Sequence, residues 1–433
     1  MEETLENPQE GNPVLCSLPF SQLRNAPGLN YQPCCWAKTE SICGPQNTSP
    51  IEYFKSKIFN QIRKDMLAGN MSPEIKSMCK ICLRNEKEIG KSTRTQIKHE
   101  WSVLRNFDVD GKMVDTDDRF LKLELNAFGN YCNLECYECQ PDNSSRRIER
   151  LKKMDPIWRG LVQRISFAHK DVKKSNPDQW KLFVDDLVCH GKNIKTLAFC
   201  GGEPMTMVSH FDILDALIET DQAKNIELMY VTNFTLFNLK KMKKYIDAFK
   251  WVSVNWSVDG LGERNHWLRY PTKWDITLKN VLDVRDYFYN SKENKYFKRK
   301  RLFSYIKNKN SQDHVKREWK LGKIEVTITP SLLGIYKLKE TVEFMRKMNL
   351  YTDTTTMVNK IDSPKFCQTR HLPDKIKEEI GDDIKSISQY VYDDMMQPRD
   401  QHSFELGIKY FDALDKSRGT NWRTIFPEIA CYL

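Results

Sequence analysis

The sequence predicts an α/β fold built around a parallel sheet of five or six strands. From about residue 119 onward, short β-rich runs alternate with helical runs, and this alternation is typical of βαβ units. Five or six strands are too few to close an eight-stranded barrel. The strands are expected at residues 120–125, 194–199, 226–232, 251–258 and 324–329. The helices between them are expected at residues 211–220, 239–249, 276–289 and 338–348.

Length and composition are those of an ordinary globular protein. The chain has 433 residues, of which 40% are hydrophobic and 29% are charged. No apolar run approaches the roughly 18 to 20 residues that a membrane span needs. The acidic, polar start at residues 1–6 lacks the features of a secretory signal, so a cytoplasmic location is expected.

The cysteines are the most informative residue type. There are 13 of them, and ten precede residue 190. This density is too low for a disulfide scaffold, and in a reducing compartment the thiols should be free, catalytic or bound to metal. Their spacing therefore decides their role.

Three cysteines follow the first predicted strand of the sheet. Cys132, Cys136 and Cys139 have the spacing C-x3-C-x2-C. Three thiolates can hold a [4Fe–4S] cluster and leave one iron open to a small molecule, whereas a closed site would use four. An incomplete zinc site with a distant fourth ligand is the alternative. The carboxyl ends of the strands are where open α/β sheets bind ligands.

Short polar motifs follow the next three strands. They are Gly201-Gly202-Glu203-Pro204, then Thr232-Asn233, then Ser257-Val258-Asp259-Gly260 with Arg269 beyond it. Glycine allows the backbone to approach a ligand closely, and a carboxylate can pair with an ammonium group. Turn glycines and helix caps would explain any one of these motifs alone. These three motifs and the cysteine loop, in order at the ends of four strands, favour a shared ligand site.

Together these motifs resemble those of radical S-adenosylmethionine (SAM) enzymes. The resemblance implies an open, partial (β/α)6 TIM-like barrel and a [4Fe–4S] cluster that binds the amino acid end of SAM. It also implies reductive cleavage of SAM to a 5′-deoxyadenosyl radical, an electron donor such as flavodoxin or ferredoxin, and hydrogen abstraction from a substrate. No residue can be named as a radical relay or substrate base.

The resemblance assigns roles to individual residues. It implies that Cys132, Cys136 and Cys139 hold the cluster. Gly201, Gly202 and Glu203 would meet the methionine amine of SAM. Asn233, Ser257 and Asp259 would contact its ribose or carboxylate. The substrate class stays open among peptides, sugars and nucleotides.

A second set of cysteines lies near the N-terminus. Cys79 and Cys82 form a C-x2-C pair, the usual unit of zinc or iron–sulfur ligation, and Cys16 and Cys34-Cys35 lie upstream. This stretch resembles the twitch (half-SPASM) module, which binds an auxiliary [4Fe–4S] cluster. The module precedes the core here, and this order resembles that of twitch-containing radical SAM proteins, which are often encoded by bacteriophages. An enzyme of that origin would act in the cytoplasm of the host cell.

The twitch resemblance implies four ligands, Cys16, Cys34, Cys79 and Cys82. Cys34 is preferred over Cys35 because it matches the first cysteine of the Pro-Cys-Cys in that family. Zinc at this site stays open as an alternative. A helix is expected to begin at Ser49, as an N-cap serine before proline, and to end at Gly69.

The chain is expected to divide into a flexible tail (1–13), a twitch-like iron–sulfur module (14–95), a radical SAM core (115–360) and a mostly helical C-terminal extension (361–433). Residues 292–323 form a basic insertion in the core, with twelve Lys or Arg and three acids, so 12 − 3 = +9 of the total +10.

The basic insertion suits contact with a nucleic acid or an acidic peptide, and a solvated surface segment is the alternative. If the cysteine pairs were structural, the whole chain could be a zinc-stabilised nucleic-acid-binding protein without catalysis.

Overall fold

The computed structural model of the chain describes residues 11–26, 30–34, 37, 49–90, 92–97, 99–125, 129–162, 177–289, 321–350, 356–361 and 363–433. Cys35, most of the basic insertion and most of the predicted tail lie outside these residues. Contacts divide the chain into two compact units. The first unit comprises residues 1–231 and 408–420, and the second comprises 232–407 and 421–433. The domain boundaries drawn from the sequence stay a prediction.

The strands of the first unit follow the order β2-β1-β3-β4-β5. They are β1 (Gln22–Ala26), β2 (Asn30–Gln32), β3 (Leu121–Leu125), β4 (Ile194–Phe199) and β5 (Glu227–Thr232), whose last residue already belongs to the second unit. β1 and β2 are antiparallel and the other pairs are parallel. Leu23, Leu123, Leu197 and Leu228 face one another across four strands and are all buried, so this row forms part of the core.

The second unit holds the three remaining strands in the order β6-β7-β8. They are β6 (Trp251–Ser257), β7 (Gly322–Ile328) and β8 (Thr356–Val358), and both pairs are parallel. Among the described residues β2 pairs only with β1 and β8 only with β7, so the strands do not close into a barrel. Strands β3 to β7 match the five expected core strands, β8 is a sixth, and the open, partial (β/α)6 fold is confirmed.

Helices connect the strands in both units. In the first unit they are α1 (Leu18–Ser21), α2 (Pro50–Phe54), α3 (Lys57–Leu67), α4 (Pro73–Met78), α5 (Lys80–Ile89), α6 (Thr93–Gln96), α7 (Ser145–Lys153), α8 (Pro156–Val162), α9 (Pro177–Cys189) and α10 (His210–Glu219). In the second unit they are α11 (Leu239–Ala248), α12 (Gly262–Leu268), α13 (Trp274–Tyr289), α14 (Leu338–Lys347), α15 (Asp374–Ile387), α16 (Gln389–Met395), α18 (Trp422–Ile425) and α19 (Pro427–Ala430). Helix α17 (Gln401–Arg418) begins in the second unit, and its residues from 408 onward belong to the first.

One helix expected from the sequence is divided in the structure. Ser49 caps α2 as expected, since its side chain accepts a hydrogen bond from the backbone N–H of Glu52. The helix does not continue to Gly69, because Ser56 has an extended backbone and its Oγ accepts from the N–H of Phe59, 3.4 Å away. Ser56 is therefore a second N-cap, and α3 begins there.

The sequence did not predict β1, β2 and β8. β2 and β8 have three residues each, too few for a period-2 pattern to stand out. The N-terminal cysteine-rich segment thus contributes two strands to the sheet. None of the helices in the described part of the chain combines the length and the apolar character that a membrane span requires.

Candidate functional site: two cysteine clusters and the strand ends

The loop that carries Cys132, Cys136 and Cys139 lies between β3 and α7, in the first unit. The start of α7 holds this loop. Ser144 caps the helix and also donates from its Oγ to the carbonyl of Leu134, at 2.7 Å. The backbone N–H of Cys132 donates to Ser145 Oγ at 3.3 Å. Cys136 is buried and the other two thiols are half-buried, so a bound cluster would be partly shielded from water.

The Gly-Gly-Glu-Pro turn after β4 packs directly against this loop. The backbone N–H of Glu203 donates to the carbonyl oxygen of Tyr131 at 2.8 Å, and Thr206 Oγ1 donates to the same oxygen at 3.0 Å. Gly202 has a φ of +59°, and a Cβ at this position would stand 2.4 Å from the Tyr131 oxygen. Only glycine fits there, because any side chain would push the turn and the cysteine loop apart.

Glu203 is fully buried beside the cysteine loop. Its Oε1 accepts a hydrogen bond from the backbone N–H of Met205 at 3.2 Å, which caps the short turn at Pro204–Thr206. A buried carboxylate held in this way suits an ammonium group as a partner. The structure therefore brings together six of the residues predicted to bind the cluster and SAM: the three cysteines, Gly201, Gly202 and Glu203.

Asn233 lies in the second unit, in a tightly held turn after β5. Its buried Oδ1 accepts from the N–H of Thr235 at 2.9 Å and from Thr235 Oγ1 at 2.6 Å. The next residue, Phe234, has a φ of +62°, which is uncommon for a residue with a bulky side chain. Asn280 Nδ2 donates to the carbonyls of Phe234 and Thr235, at 3.2 Å each. Strained backbone held by several bonds is typical of functional sites.

Ser257 and Asp259 also lie in the second unit, at the carboxyl end of β6. Ser257 is half-buried, whereas Asp259 is almost fully buried. The Asp259 carboxylate accepts from the N–H of Thr329 at 2.8 Å and from Arg269 Nη1 at 2.5 Å. Asp259 thus connects the end of β6 to the residue after β7. It also fixes the guanidinium of Arg269, the arginine that follows this motif in the sequence.

The four predicted auxiliary ligands line one cavity in the first unit. Cys16, Cys34, Cys79 and Cys82 come from three segments separated by tens of residues, and they share this cavity with Arg94. The remaining lining is apolar, with Leu18, Pro19, Pro33, Met66 and Met78. Four thiols around an apolar cavity are the donor set that an iron–sulfur cluster or zinc needs.

Burial and neighbouring charges determine the ionisation of this cavity. Burial raises the pKa of the Cys16 thiol to about 12 and that of Cys79 to about 12, and the other thiols of the cavity act in the same direction. Arg94 opposes this effect on both thiols. Metal binding at these cysteines must therefore release protons.

Arg94 is itself held by Glu86. Its Nε and Nη2 donate to the two carboxylate oxygens at 3.1 and 2.5 Å, and Ser92 Oγ donates to Oε1 at 2.5 Å. Burial acts to raise the pKa of Glu86, but the bonds from Arg94 and Ser92 outweigh it, so the pKa lies below its usual value. Glu86 thus fixes the Arg94 guanidinium that lines the cavity.

Both cysteine sets fit the groups expected of them. Beside the loop of Cys132, Cys136 and Cys139, the turn at Gly202 leaves space that any Cβ would occupy. The N-terminal cavity is lined by four thiols. In the described part of the chain, no three His, Cys, Asp or Glu side chains surround a single metal-ion position. The cysteines of a cubane each bind a different iron, so they lie further apart than the ligands of one ion.

Three residues around the cysteine loop were not identified from the sequence. Glu135 lies within the loop, Arg147 lies on α7, and Arg418 ends α17. All three are buried and hydrogen-bonded to one another or to the loop. No local pattern links Arg418 to the cysteines, because 279 residues separate it from Cys139.

One family model matches part of the chain. Residues 126–297 match the family model described as the Radical SAM superfamily. No curated protein sequence is significantly similar to the chain.

Several solved structures are similar to parts of the chain. Native anSMEcpe with bound AdoMet is 16% identical, covers 64% of this chain and 62% of its own, and has a TM-score of 0.33. SuiB of Streptococcus suis bound to S-adenosylmethionine is 14% identical, with coverages of 76% and 63% and a TM-score of 0.32. SuiB bound to the precursor peptide SuiA is 13% identical, with the same coverages and TM-score. This chain thus spans less than two thirds of the length of these structures. The chain contains a Radical SAM domain, and the domain match supports an enzyme rather than a non-catalytic binding protein.

Proposed function

We propose that this enzyme with a Radical SAM domain binds a [4Fe–4S] cluster through Cys132, Cys136 and Cys139 and cleaves SAM there. When bound, such a cluster supplies one electron that breaks the C5′–S bond of SAM and gives a 5′-deoxyadenosyl radical, which abstracts a substrate hydrogen. The observation that carries the proposal is the packing of the Gly-Gly-Glu-Pro turn on the cysteine loop through Gly202 and Tyr131.

The residues of the chain bind and orient SAM. The buried carboxylate of Glu203, next to the cysteine loop, pairs with the methionine ammonium group. Gly201 and Gly202, with φ values of +77° and +59°, let the backbone approach the amino acid end of SAM. Asn233, Ser257 and Asp259 hold the ribose or the carboxylate, and the turn at Asn233 is rigid enough to hold its amide in one position.

We further propose that Cys16, Cys34, Cys79 and Cys82 bind a second, auxiliary [4Fe–4S] cluster, as in a twitch module. The shared cavity and its apolar lining support this assignment. The auxiliary cluster either passes electrons or anchors the substrate. Zinc in the same cavity is the alternative, and metal analysis separates the two because zinc brings no iron and no sulfide.

The substrate is a peptide, a sugar or a nucleotide, and a flavodoxin or ferredoxin supplies the electron in the cytoplasm of the cell or of a phage-infected host. The basic segment 292–323 adds a contact to a nucleic acid or to an acidic peptide. Its test is binding to RNA and to an acidic peptide at increasing salt, with Lys298, Arg299, Lys300 and Arg301 replaced by alanine. Unchanged binding would remove this contact from the proposal.

Metal content after anaerobic purification tests the two-cluster proposal. We expect about eight irons per chain and absorbance near 400 nm. SAM should change the electron paramagnetic resonance (EPR) signal of one reduced cluster, because only one cluster has an open iron. Zinc without iron would contradict the proposed function. If the wild type holds only about four irons per chain and Cys136→Ala loses them, the cluster that cleaves SAM is retained in the proposal and the auxiliary cluster is not.

A further inference from the structure

Buried charged side chains of both signs surround the cysteine loop: the guanidinium groups of Arg147 and Arg418, and the carboxylates of Glu135 and Glu138 within the loop. Arg147 is fully buried, and the side chain of Arg418 is 0% exposed. Arg418 Nη2 donates to the backbone carbonyl of Glu135 at 2.8 Å, and Arg147 Nη2 donates to that of Tyr137 at 2.6 Å. These carbonyls stand immediately before and after Cys136. Two buried guanidinium groups therefore fix the backbone on both sides of one proposed cluster ligand.

The two arginines differ in how their charge is balanced. Arg418 Nε donates to the Glu135 carboxylate at 3.1 Å, and Arg150 Nε donates to the same oxygen at 2.8 Å. Arg147 has no carboxylate partner in the described part of the chain. Its second contact is the hydroxyl of Tyr410, and its Nε and Nη1 are buried without a hydrogen-bond partner among the described residues.

A buried cation without an anionic partner is costly, so proteins keep one where a bound group balances it. Three thiolates on a doubly positive cubane form a negative centre, and reduction makes that centre more negative by one charge. The bond to Tyr137 joins Arg147 to the very loop that would carry this charge. Low local dielectric makes the attraction stronger than it would be in water.

We propose that Arg147 is a positioning residue and the counter-cation of the cluster bound by Cys132, Cys136 and Cys139. It fixes the backbone after Cys136, and its charge favours the one-electron reduced cluster. Arg418 fixes the backbone before Cys136, and it shares the single negative charge of Glu135 with Arg150. This inference rests on the proposed function, because it requires that cluster.

The exposed neighbour of Arg147 provides a matched control. Arg146 lies on the same helix, and its Nη1 donates to the loop carbonyl of Asn133 at 2.9 Å. It has the same charge and the same kind of bond to the loop, but it is exposed to solvent. Water screens an exposed charge, so Arg146→Gln should leave the cluster potential unchanged.

The test is a redox titration of the full-length, cluster-loaded protein with dithionite and mediators, followed by the EPR signal that responds to SAM. Arg147→Gln keeps a hydrogen-bond donor and removes the charge, and we expect a more negative midpoint potential. Arg147→Lys keeps the charge, and we expect a potential close to that of the wild type. A purely structural role would instead give Gln and Lys variants with the same potential, and that result overturns the inference.

Two further outcomes keep the test decisive. If Arg147→Gln does not fold, Arg147→Met and Arg147→Lys carry the same comparison, since replacing an unbalanced buried ion by an apolar side chain of similar size is often neutral for stability. If Arg147→Gln and Arg147→Met both fail to fold while Arg147→Lys folds, the positive charge is needed for folding itself and not to balance the cluster. That result overturns the counter-cation role. A wild-type protein with no SAM-sensitive signal refutes the proposed function itself.

Discussion

Replacing Gly202 by alanine tests the contact between the Gly-Gly-Glu-Pro turn and the cysteine loop. Alanine at a φ of +59° costs about 1–2 kcal/mol. Its Cβ would also stand 2.4 Å from the Tyr131 carbonyl oxygen, so the turn and the loop must separate. Separation weakens the two hydrogen bonds that this oxygen accepts, at about 0.5–1.5 kcal/mol each. The total is about 2–5 kcal/mol, and even 2 kcal/mol corresponds to roughly a 30-fold change in an equilibrium constant.

The assay is SAM affinity of the anaerobically loaded protein, measured together with iron content and the unfolding midpoint. We expect Gly202→Ala to lose the full amount, about 2–5 kcal/mol, in folding stability. Only the loss of the two hydrogen bonds, about 1–3 kcal/mol, should reach SAM binding, which we expect to weaken by about 5-fold or more. Gly262→Ala is the matched control, because Gly262 has a φ of +55° and nothing within 4 Å of the Cβ position. The control should show the backbone cost alone and bind SAM normally. Wild-type affinity in Gly202→Ala would refute the assigned contact between turn and loop.

Three other changes probe the remaining features. Cys34→Ala should remove about four irons per chain and Cys35→Ala none, because Cys34 lines the cysteine cavity. Equal losses of iron in the two variants would contradict the assignment of Cys34 as the ligand. Asp259→Asn should lower the melting temperature and weaken SAM binding, since it leaves Arg269 without its buried carboxylate; unfolding and SAM titrations that match wild type would contradict this. Glu86 has a lowered pKa in the folded state, so the stability it contributes is complete above pH 4.5 and is lost as the pH falls below that value. The difference in unfolding free energy between wild type and Glu86→Gln, measured with denaturant, should therefore shrink as the pH is lowered. A difference that stays constant with pH would speak against the charge pair of Glu86 and Arg94.

The core strands could be predicted because each has a strong local pattern. Five expected strands lie within two residues of their observed bounds, and Ile194–Phe199 agrees at both ends. Short strands such as Asn30–Gln32 form through pairing with distant segments, which a local pattern does not contain. The division of the expected helix at Ser56 shows the same limit, because the serine hydroxyl competes for a backbone N–H that the apolar pattern had assigned to one long helix.

The candidate site was predictable where its residues are close in sequence. C-x3-C-x2-C and Gly-Gly-Glu-Pro are local motifs, and the fold brings them into direct contact through Tyr131. The environment of the cysteine loop was not predictable, because Arg418 reaches Glu135 from the far end of the chain. A buried charge network made by long-range packing has no signature in a single sequence.

Formation of 5′-deoxyadenosine from SAM and a reductant measures SAM cleavage at the cysteine loop directly. The anaerobically loaded wild type should form 5′-deoxyadenosine and Cys136→Ala should form none, because the open iron is lost with the cluster. Cys189→Ala is the control, since Cys189 is exposed and has no proposed role, and it should match the wild type. A loaded wild type that leaves SAM intact, or a Cys136→Ala variant that cleaves it as well as the wild type, would contradict SAM cleavage at a cluster bound by these cysteines.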